Sequence, residues 1–173
     1  MIIMERLINV SLELRRMMVL SVLLLAYHVC FAQSADRIIE EARTYKGAEY
    51  VTYNKSEIKK LYNEQPEDFM KVLLKNANSL KGVSFEKLPS REANKLHSNI
   101  QDLDNCDYSK LLDEKDDNGN ILSIWFLEDD DNYRVTDVIV FLVQNGQSAM
   151  LVYAKGKYAE ADIEKVEEMI MQY

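Results

Sequence analysis

The chain of 173 residues holds few histidines and cysteines, the side chains that most readily act as general bases and nucleophiles near neutral pH. Two histidines and two cysteines occur, and His97 and Cys106 are the pair that lies well inside the sequence. A thiol beside an imidazole could form a nucleophilic centre, but that chemistry also needs an orienting group and oxyanion donors, which no motif here supplies. We therefore expect a surface histidine, an incidental thiol, no catalytic residues and no enzyme activity.

Two acidic runs could attract calcium. Residues 114–119 resemble the first half of a calcium loop, with oxygen-bearing side chains at alternate positions and glycine at the sixth. The twelfth position is Trp125, where such a loop requires a bidentate glutamate. The second run, residues 128–132, falls at the next hairpin turn, which lies at the opposite end of a meander. We therefore predict solvated turns, no metal site and no cofactor.

Apolar strands in the last third of the chain are the elements that would carry a binding surface. Residues 138–143 are apolar at every position, whereas a strand open to water on one face should alternate. This strand is either central and covered on both faces, or its second face contacts a partner. In the second case the partner or ligand face would include Trp125, Tyr133, Phe141 and Tyr153.

Four strands in this region form a predicted meander of hairpins. They span residues 110–114, 121–128, 133–144 and 149–155. Asn118-Gly119 and Asn145-Gly146 are strong signals for two of the turns. Helical spacing of apolar residues then predicts a closing helix over residues 160–173.

The first half of the chain alternates predicted helices and strands. Helices are expected over residues 36–45, from Pro66 to the neighbourhood of Gly82, and after Ser90, which can cap its helix. Strands are expected over residues 48–53 and 83–88, with a short helical turn around Ile58 between them. The second helix is defined by its apolar positions, Phe69, Val72, Leu73, Ala77 and Leu80. The order predicts an α+β domain with helices packed mainly on one face of a mostly antiparallel sheet.

The first 32 residues carry the pattern of a secretory signal peptide. Arg15 and Arg16 precede an uncharged run, residues 17–29, and small side chains stand three and one positions before a cut after Ala32. The run is shorter than the roughly 20 residues that span a bilayer, so a buried helix or a signal anchor fits less well. We predict a cleaved signal peptide over residues 1–32 and a periplasmic or secreted protein. Val29 stands where lipoprotein processing expects a small residue, so we expect no lipid anchor at Cys30.

Removal of residues 1–32 leaves 141 residues, which suits a single α+β domain over residues 33–173. The removed segment holds three basic and two acidic residues, so 18 positive and 27 negative side chains remain, a net charge of −9. This acidic balance argues against nucleic acid and anionic membrane surfaces as partners. Cys106 is then the one cysteine left, which excludes an internal disulfide.

Several segments together resemble a known family. They are residues 108–112 (Tyr-Ser-Lys-Leu-Leu), 120–126 (Asn-Ile-Leu-Ser-Ile-Trp-Phe), 137–142, 150–156 (Met-Leu-Val-Tyr-Ala-Lys-Gly) and the pair Asp162-Ile163. Over residues 35–172 this progression resembles the domain of unknown function 4252. The resemblance implies a small exported or lipid-anchored bacterial protein, and Val29 departs from the lipid-anchor pattern. It implies no activity and no catalytic residues.

Two functions remain open from the sequence. The first is a non-enzymatic protein of the cell envelope that binds another protein, or itself, through the sheet face or an edge strand. The alternative is a small-ligand or lipid-binding module with a pocket between sheet and helices near Trp125, Tyr133 and Tyr153.

Overall fold

The computed structural model describes residues 34–64, 68–129, 134–144 and 148–170. Its helices are α1 (Ala35–Ala42), α2 (Lys55–Glu64), α3 (Asp68–Asn76), α4 (Ser90–Gln101) and α5 (Glu160–Ile170), with a 3₁₀ helix at Asp102–Cys106. Its strands are β1 (Glu49–Asn54), β2 (Ala77–Phe85), β3 (Tyr108–Lys115), β4 (Ile121–Asp129), β5 (Arg134–Gln144) and β6 (Ser148–Tyr158). The predicted signal peptide, Tyr133 and the predicted turn at Asn145-Gly146 lie outside the described residues.

All described strands join one antiparallel sheet in the order β1-β2-β6-β5-β4-β3. Consecutive pairing from β3 to β6 confirms the predicted meander. The strand β6 then pairs with β2, which comes far earlier in the chain, and β2 pairs with β1. As a result β1 and β3 form the two edges of the sheet. The predicted α+β class with an antiparallel sheet is confirmed.

The segment after Asn76 differs from the prediction of a helix that continues to Gly82. The helix α3 ends at Asn76, and residues 77–85 pair with β1 and β6 as β2. A bulge between Ala77 and Ser79 adds one residue to the strand, so that Ala77 and Leu80, three positions apart, both enter the same core. Spacing by three is also typical of a helix, and this coincidence explains the wrong prediction.

The start of α4 and the polar stretch before α3 also differ in detail. Ser90, predicted to cap its helix, is instead the first helical residue. The cap position belongs to Pro89, whose carbonyl accepts the Ala93 N–H at 3.0 Å. The expected helical turn around Ile58 is the full helix α2, which buries Ile58 against the sheet.

A hydrophobic core covers each face of the sheet. The first face, which carries Trp125, packs against α1, α4 and the 3₁₀ helix; the second face, which carries Ile124, packs against α2, α3 and α5. The largest first-face core residues include Ile39, Leu96, Ile100, Leu103, Ile121, Trp125, Ile139, Phe141, Leu151 and Tyr153. The second-face core includes Ile58, Leu73, Leu74, Leu80, Ile124, Val138, Val140, Val152, Ile163 and Val166.

Helices therefore lie on both faces, which corrects the expectation that they pack mainly on one. The reason is the apolar character of β5, whose residues alternate between the two cores: Val138 and Val140 enter the second, Ile139 and Phe141 the first. Each such side chain stabilises the fold by about 1.5–3 kcal/mol when it is fully buried, so both faces require a cover. The continuous apolar run thus marks a central strand covered on both sides.

Candidate functional site

The residues that the sequence suggested as a partner or ligand face are core residues. Trp125 and Tyr153 are each 4% exposed, and Phe141 is fully buried. All three lie on the first face of the sheet beneath its covering helices. Tyr133, the fourth of the set, lies outside the described residues. The side chains of Trp125, Phe141 and Tyr153 are therefore not exposed on the described surface.

A buried carboxylate, Asp137, lies at one end of the first face. The Tyr153 hydroxyl donates a hydrogen bond to Asp137 Oδ1, and Lys155 Nζ lies 3.8 Å from the same oxygen. Burial and this hydrogen bond raise the pKa of Tyr153 far above its ordinary value. Burial likewise raises the pKa of Tyr108, which shares a hydrogen bond with Tyr153. Both phenols stay protonated at neutral pH, so they act here as hydrogen-bonding groups and not as bases.

Charged side chains connect Asp137 to the helix α1. Lys155 Nζ also lies 3.2 Å from Asp36 Oδ2, and Lys81 Nζ lies 2.7 Å from Asp36 Oδ1. Burial alone would raise the pKa of the Asp36 carboxyl, but Lys81 and Lys155 hold it below its ordinary value. Because Asp36 stands in the first turn of α1, these ion pairs fix that helix to β2 and β6. We call these residues and the two tyrosines the Asp137 network.

A second polar network surrounds Asp113 on β3. Asp113 Oδ1 lies 2.6 Å from His97 Nε2, and Asp113 Oδ2 accepts a hydrogen bond of 2.7 Å from Gln101. Ser123, directly opposite on β4, also bonds to Asp113 and accepts the Trp125 Nε1–H at 2.9 Å. Burial alone would raise the pKa of the Asp113 carboxyl, but hydrogen bonds from Gln101, His97 and Ser123 hold it below its ordinary value.

The Asp113 network corrects the expectation of a surface histidine. His97 is 8% exposed because α4 packs it against the first face. In serine hydrolases the imidazole stands between the carboxylate and the nucleophile. Here the Asp113 carboxylate stands between His97 and Ser123. The arrangement therefore has the geometry of a network that joins α4, β3 and β4.

The acidic turn between β3 and β4 is closed by its own hydrogen bonds. Asp116 Oδ1 accepts the N–H groups of Asn118 and Asn120, each at 2.9 Å, and Oδ2 accepts the Asn120 amide at 2.8 Å. Gly119 adopts φ +83°, which confirms the turn predicted at Asn118-Gly119. Within the described part of the chain, no three His, Cys, Asp or Glu residues form a group that could hold a metal ion.

The two edges of the sheet differ in how they are protected. On β3, a bulge between Lys110 and Leu112 breaks the register, and charged side chains project from the strand. Bulges and charges are the usual means by which proteins block pairing at an edge. The strand β1 pairs with β2 in an unbroken register from Glu49 to Asn54, and Glu49 is its one charged residue. In the described structure no strand covers the outer side of β1.

Exposed apolar side chains lie on this same part of the molecule. Val51 on β1 is 43% exposed and Tyr62 on α2 is 39% exposed, the two large apolar side chains that stand out on the described surface. Sequence reasoning identified β1 as a strand but did not place it at an edge. Its composition, Glu-Tyr-Val-Thr-Tyr-Asn, offered one signal, because a strand buried on both faces has fewer polar residues.

An open groove of about 320 Å³ lies between α2, α3 and the start of β2. Its apolar floor is formed by Ile58, Leu74 and Ala77, and its remaining lining residues are Lys55, Lys59, Tyr62 and Lys75. None of the described lining residues is acidic, although the whole chain carries a net charge of −8. The groove is therefore a local basic surface on an acidic protein. Among the described helices, none is long and apolar enough to cross a membrane.

Two residues of the C-terminal sequence pattern both contact Asn76, the last residue of α3. A methyl group added to Gly156 would lie 2.3 Å from the Asn76 carbonyl oxygen, so only glycine fits there. Asp162 on α5 accepts a hydrogen bond of 3.0 Å from the Asn76 amide. The adjacent Ile163 is buried in the second-face core. The pattern thus has a structural origin, since it fixes the end of α3 against β6 and α5.

Comparison with known proteins identifies the family of this chain. No curated protein and no solved structure matches the chain. A family model described as a domain of unknown function (DUF4252) matches residues 36–166, which extend from α1 into α5 and include every described strand. The match agrees with the resemblance seen in the sequence. The chain belongs to the DUF4252 family, a domain of unknown function.

Proposed function

We propose that this is a non-enzymatic protein-binding module of the cell envelope that binds an extended segment of a partner at the open edge of β1. The observation that carries the proposal is the outer side of β1, which no described strand covers, with its continuous register and exposed Val51. At the end of this strand the Asn54 N–H donates to the Glu57 carboxylate, so the open edge extends from Glu49 to Tyr53. An edge strand presents a row of free N–H and C=O groups, and a partner strand satisfies them by strand addition.

The sheet faces are less suitable for this role than the edge. Helices cover both faces, and the central apolar strand β5 is occupied by the two cores. Of the two edges, β3 carries the bulge at Lys110 and the charges that oppose pairing. The proposal of binding through a sheet face or an edge therefore narrows to β1.

The location in the envelope rests on the N-terminal sequence. The basic pair Arg15-Arg16, the uncharged run 17–29 and the small residues before Gln33 support export and cleavage. The acidic balance of the remaining chain is compatible with a protein partner and argues against nucleic acid. The proposed binding therefore takes place outside the cytoplasm.

Photo-cross-linking from β1 tests this function. A photoreactive phenylalanine analogue replaces exposed Thr52 in the full chain, expressed in the organism that produces it, and the same analogue replaces Lys110 on β3 as a control. We expect a discrete cross-linked protein species from position 52 and none from position 110. Absence of a cross-link at position 52, or equal cross-linking at both positions, contradicts binding at β1.

The groove favours a second candidate function, the binding of a small anionic amphiphile. Its apolar floor can contact a hydrocarbon chain, and Lys55, Lys59 and Lys75 can bind a carboxylate at the rim. A volume of about 320 Å³ lies at the lower end of the range for small-molecule sites. This places the candidate ligand on the second-face side of the molecule and away from Trp125.

Titration with decanoate tests the second function. Isothermal titration of the chain without residues 1–32 gives the affinity, and Lys59→Glu introduces a negative charge at the groove. We expect that variant to lose binding, while Lys60→Glu, on the same helix but outside the lining, keeps it. No heat of binding in the unsubstituted protein, or equal loss in both variants, rejects the groove as a ligand site.

A further inference from the structure

The edge strand β1 is complementary to a second copy of itself. Resting on the proposed function, we infer that the partner is a second copy of this chain, with the two β1 strands paired antiparallel across a two-fold axis. The two six-stranded sheets then form one continuous sheet. Two-fold dimers with self-complementary interfaces are the commonest homo-oligomers, and here the complementarity can be read from the strand itself.

Symmetry restricts the register of the pair. Directly opposite residues of antiparallel strands point to the same face of the sheet. A two-fold axis perpendicular to the sheet maps each face onto itself, so a residue and its partner must point to the same face in both copies. A residue can therefore lie opposite itself or opposite a residue an even number of positions away. When Thr52 lies opposite Thr52 of the second copy, Val51 lies opposite Tyr53, and Tyr50 lies opposite Asn54.

This register brings opposite charges together at both ends of the strand. Glu49, the first residue of β1, then comes close to Lys55 of the second copy, which is the first residue of α2. Both side chains are exposed, and neither forms an ion pair with a described side chain of its own copy. A shift by two residues in one direction places Glu49 opposite Tyr53, and a shift in the other direction carries Glu49 past the end of β1 toward Glu57 on α2. Charge complementarity thus selects the register centred on Thr52.

The same register pairs Val51 with Tyr53 twice. Both residues point to the second face, since their partners on β2, Gly82 and Leu80, lie on that face. An aromatic residue opposite a β-branched one is among the favourable cross-strand pairs of antiparallel sheets. Val51, 43% exposed in the single copy, becomes covered in the dimer.

The size of the contact sets its expected strength. A single pair of six-residue strands forms an interface well below the standard size of roughly 1,600 Å². The dimer is therefore weak and depends on protein concentration. Such an edge can exchange partners without unfolding either sheet.

A charge swap tests the register by sedimentation equilibrium of the chain without residues 1–32. We expect Glu49→Lys and Lys55→Glu each to raise the dimer Kd by about tenfold, because each change makes two pairs repulsive. The double variant restores opposite charges and returns Kd to within about threefold of the original. Lys110→Glu, on the protected edge β3, leaves Kd unchanged.

A cysteine at the two-fold axis tests the same register by chemistry. Opposite residues of antiparallel strands have Cα atoms about 4.5–5.5 Å apart, within the range of a disulfide. In a Cys106→Ser background, Thr52→Cys is expected to form a disulfide-linked dimer on mild oxidation, while Lys110→Cys is not. Equal linkage of both variants contradicts the register.

The outcomes separate this inference from the function on which it rests. A monomer at every concentration, or a dimer insensitive to the charge changes at Glu49 and Lys55, overturns self-pairing. If photo-cross-linking from position 52 then captures a different protein, strand addition stands and the second copy is rejected as partner. If position 52 cross-links to nothing, both proposals fall.

Discussion

Asp137 and Tyr158 illustrate opposite ways of placing a polar group in the core. Asp137 accepts the Tyr153 hydroxyl, and the pair is buried on the first face. The Tyr158 hydroxyl is buried too, but it has no hydrogen-bond partner among the described residues. Removal of a hydroxyl that is hydrogen-bonded leaves its buried partner unsatisfied and lowers stability, whereas removal of an unpaired buried hydroxyl does not. The two tyrosines should therefore respond differently to the same substitution.

Phenylalanine at these two positions tests that difference. Tyr153→Phe removes the donor to Asp137, and we expect the free energy of unfolding to fall by about 1–3 kcal/mol. Tyr158→Phe is the matched control, and it should be neutral or stabilising because it removes an unpaired buried hydroxyl. Urea denaturation at pH 7 measures both. Equal losses in the two variants are incompatible with a structural role for the Asp137 network.

The Asp113 carboxyl predicts how stability depends on pH. Its pKa in the folded protein lies below the ordinary 3.8, so its hydrogen bonds stabilise the fold above that pH. That contribution is lost as the pH falls through the folded pKa. We expect Asp113→Asn to lower the free energy of unfolding by about 1–3 kcal/mol at pH 7 and by clearly less at pH 2.5. An equal loss at both pH values contradicts the ionised state of Asp113.

At the scale of elements, Gly156 shows why α3 ends where it does. The Asn76 carbonyl oxygen occupies the space where a side chain at position 156 would begin. A β-carbon at this position would also lie 2.9 Å from a ring carbon of Tyr158. The strand β2 begins where the helix was predicted to continue, and a close approach of backbone atoms fixes its start against β6. Such approaches follow from tertiary packing, and helical periodicity alone does not reveal them.

Alanine at two glycines tests this close approach. Gly156→Ala is expected to destabilise the fold by at least about 1–3 kcal/mol, because its methyl group meets backbone atoms that cannot move independently. Gly82→Ala is the control in the neighbouring strand, where the nearest atom is the exposed Val51 side chain at 3.1 Å. Thermal unfolding compares the two. A control loss as large as that of Gly156→Ala contradicts the account.

The sequence predicted those elements whose local signals and final packing agree. The hairpin at Asn118-Gly119 and the strands of the meander carry both turn chemistry and β-branched runs, and they were correct. The prediction that the helix continues from Ala77 toward Gly82 was wrong, because the bulge in β2 gives its apolar residues the spacing of a helix. The edge position of β1 depends on the pairing of β2 with β6, a contact between distant parts of the chain that leaves no local signature.

The candidate site was less predictable than the fold for a related reason. Aromatic residues such as Trp125 and Phe141 attract attention in a sequence, yet their bulk is what fills the core. The proposed binding surface is the outer edge of β1, which consists of backbone N–H and C=O groups. The side chains of this strand carry no distinctive sequence pattern. The exposed fraction of Val51 and the free outer side of β1 emerge only when the whole sheet is assembled.

At the scale of the whole molecule, export can be tested on the protein that cells make. The small residues at positions 30 and 32 predict cleavage after Ala32 and a mature chain that begins at Gln33. Mass spectrometry of the N-terminal peptide is expected to show Gln33, and Ala32→Leu is expected to block processing. Retention of residues 1–32 in the unsubstituted protein, or lipid on Cys30, contradicts the predicted soluble export.

The central claim is that β1 presents a free strand edge that a partner strand covers. Amide hydrogen exchange tests it most directly, first on the monomer and then on the complex cross-linked through position 52. We predict that the amides from Glu49 to Tyr53 that do not bond to β2 exchange rapidly in the monomer and become protected in the complex, while β3 amides do not change. The Asn54 N–H is left out of this comparison because it already donates to Glu57. Protection of those β1 amides already in the monomer, or no change in the complex, would contradict the claim.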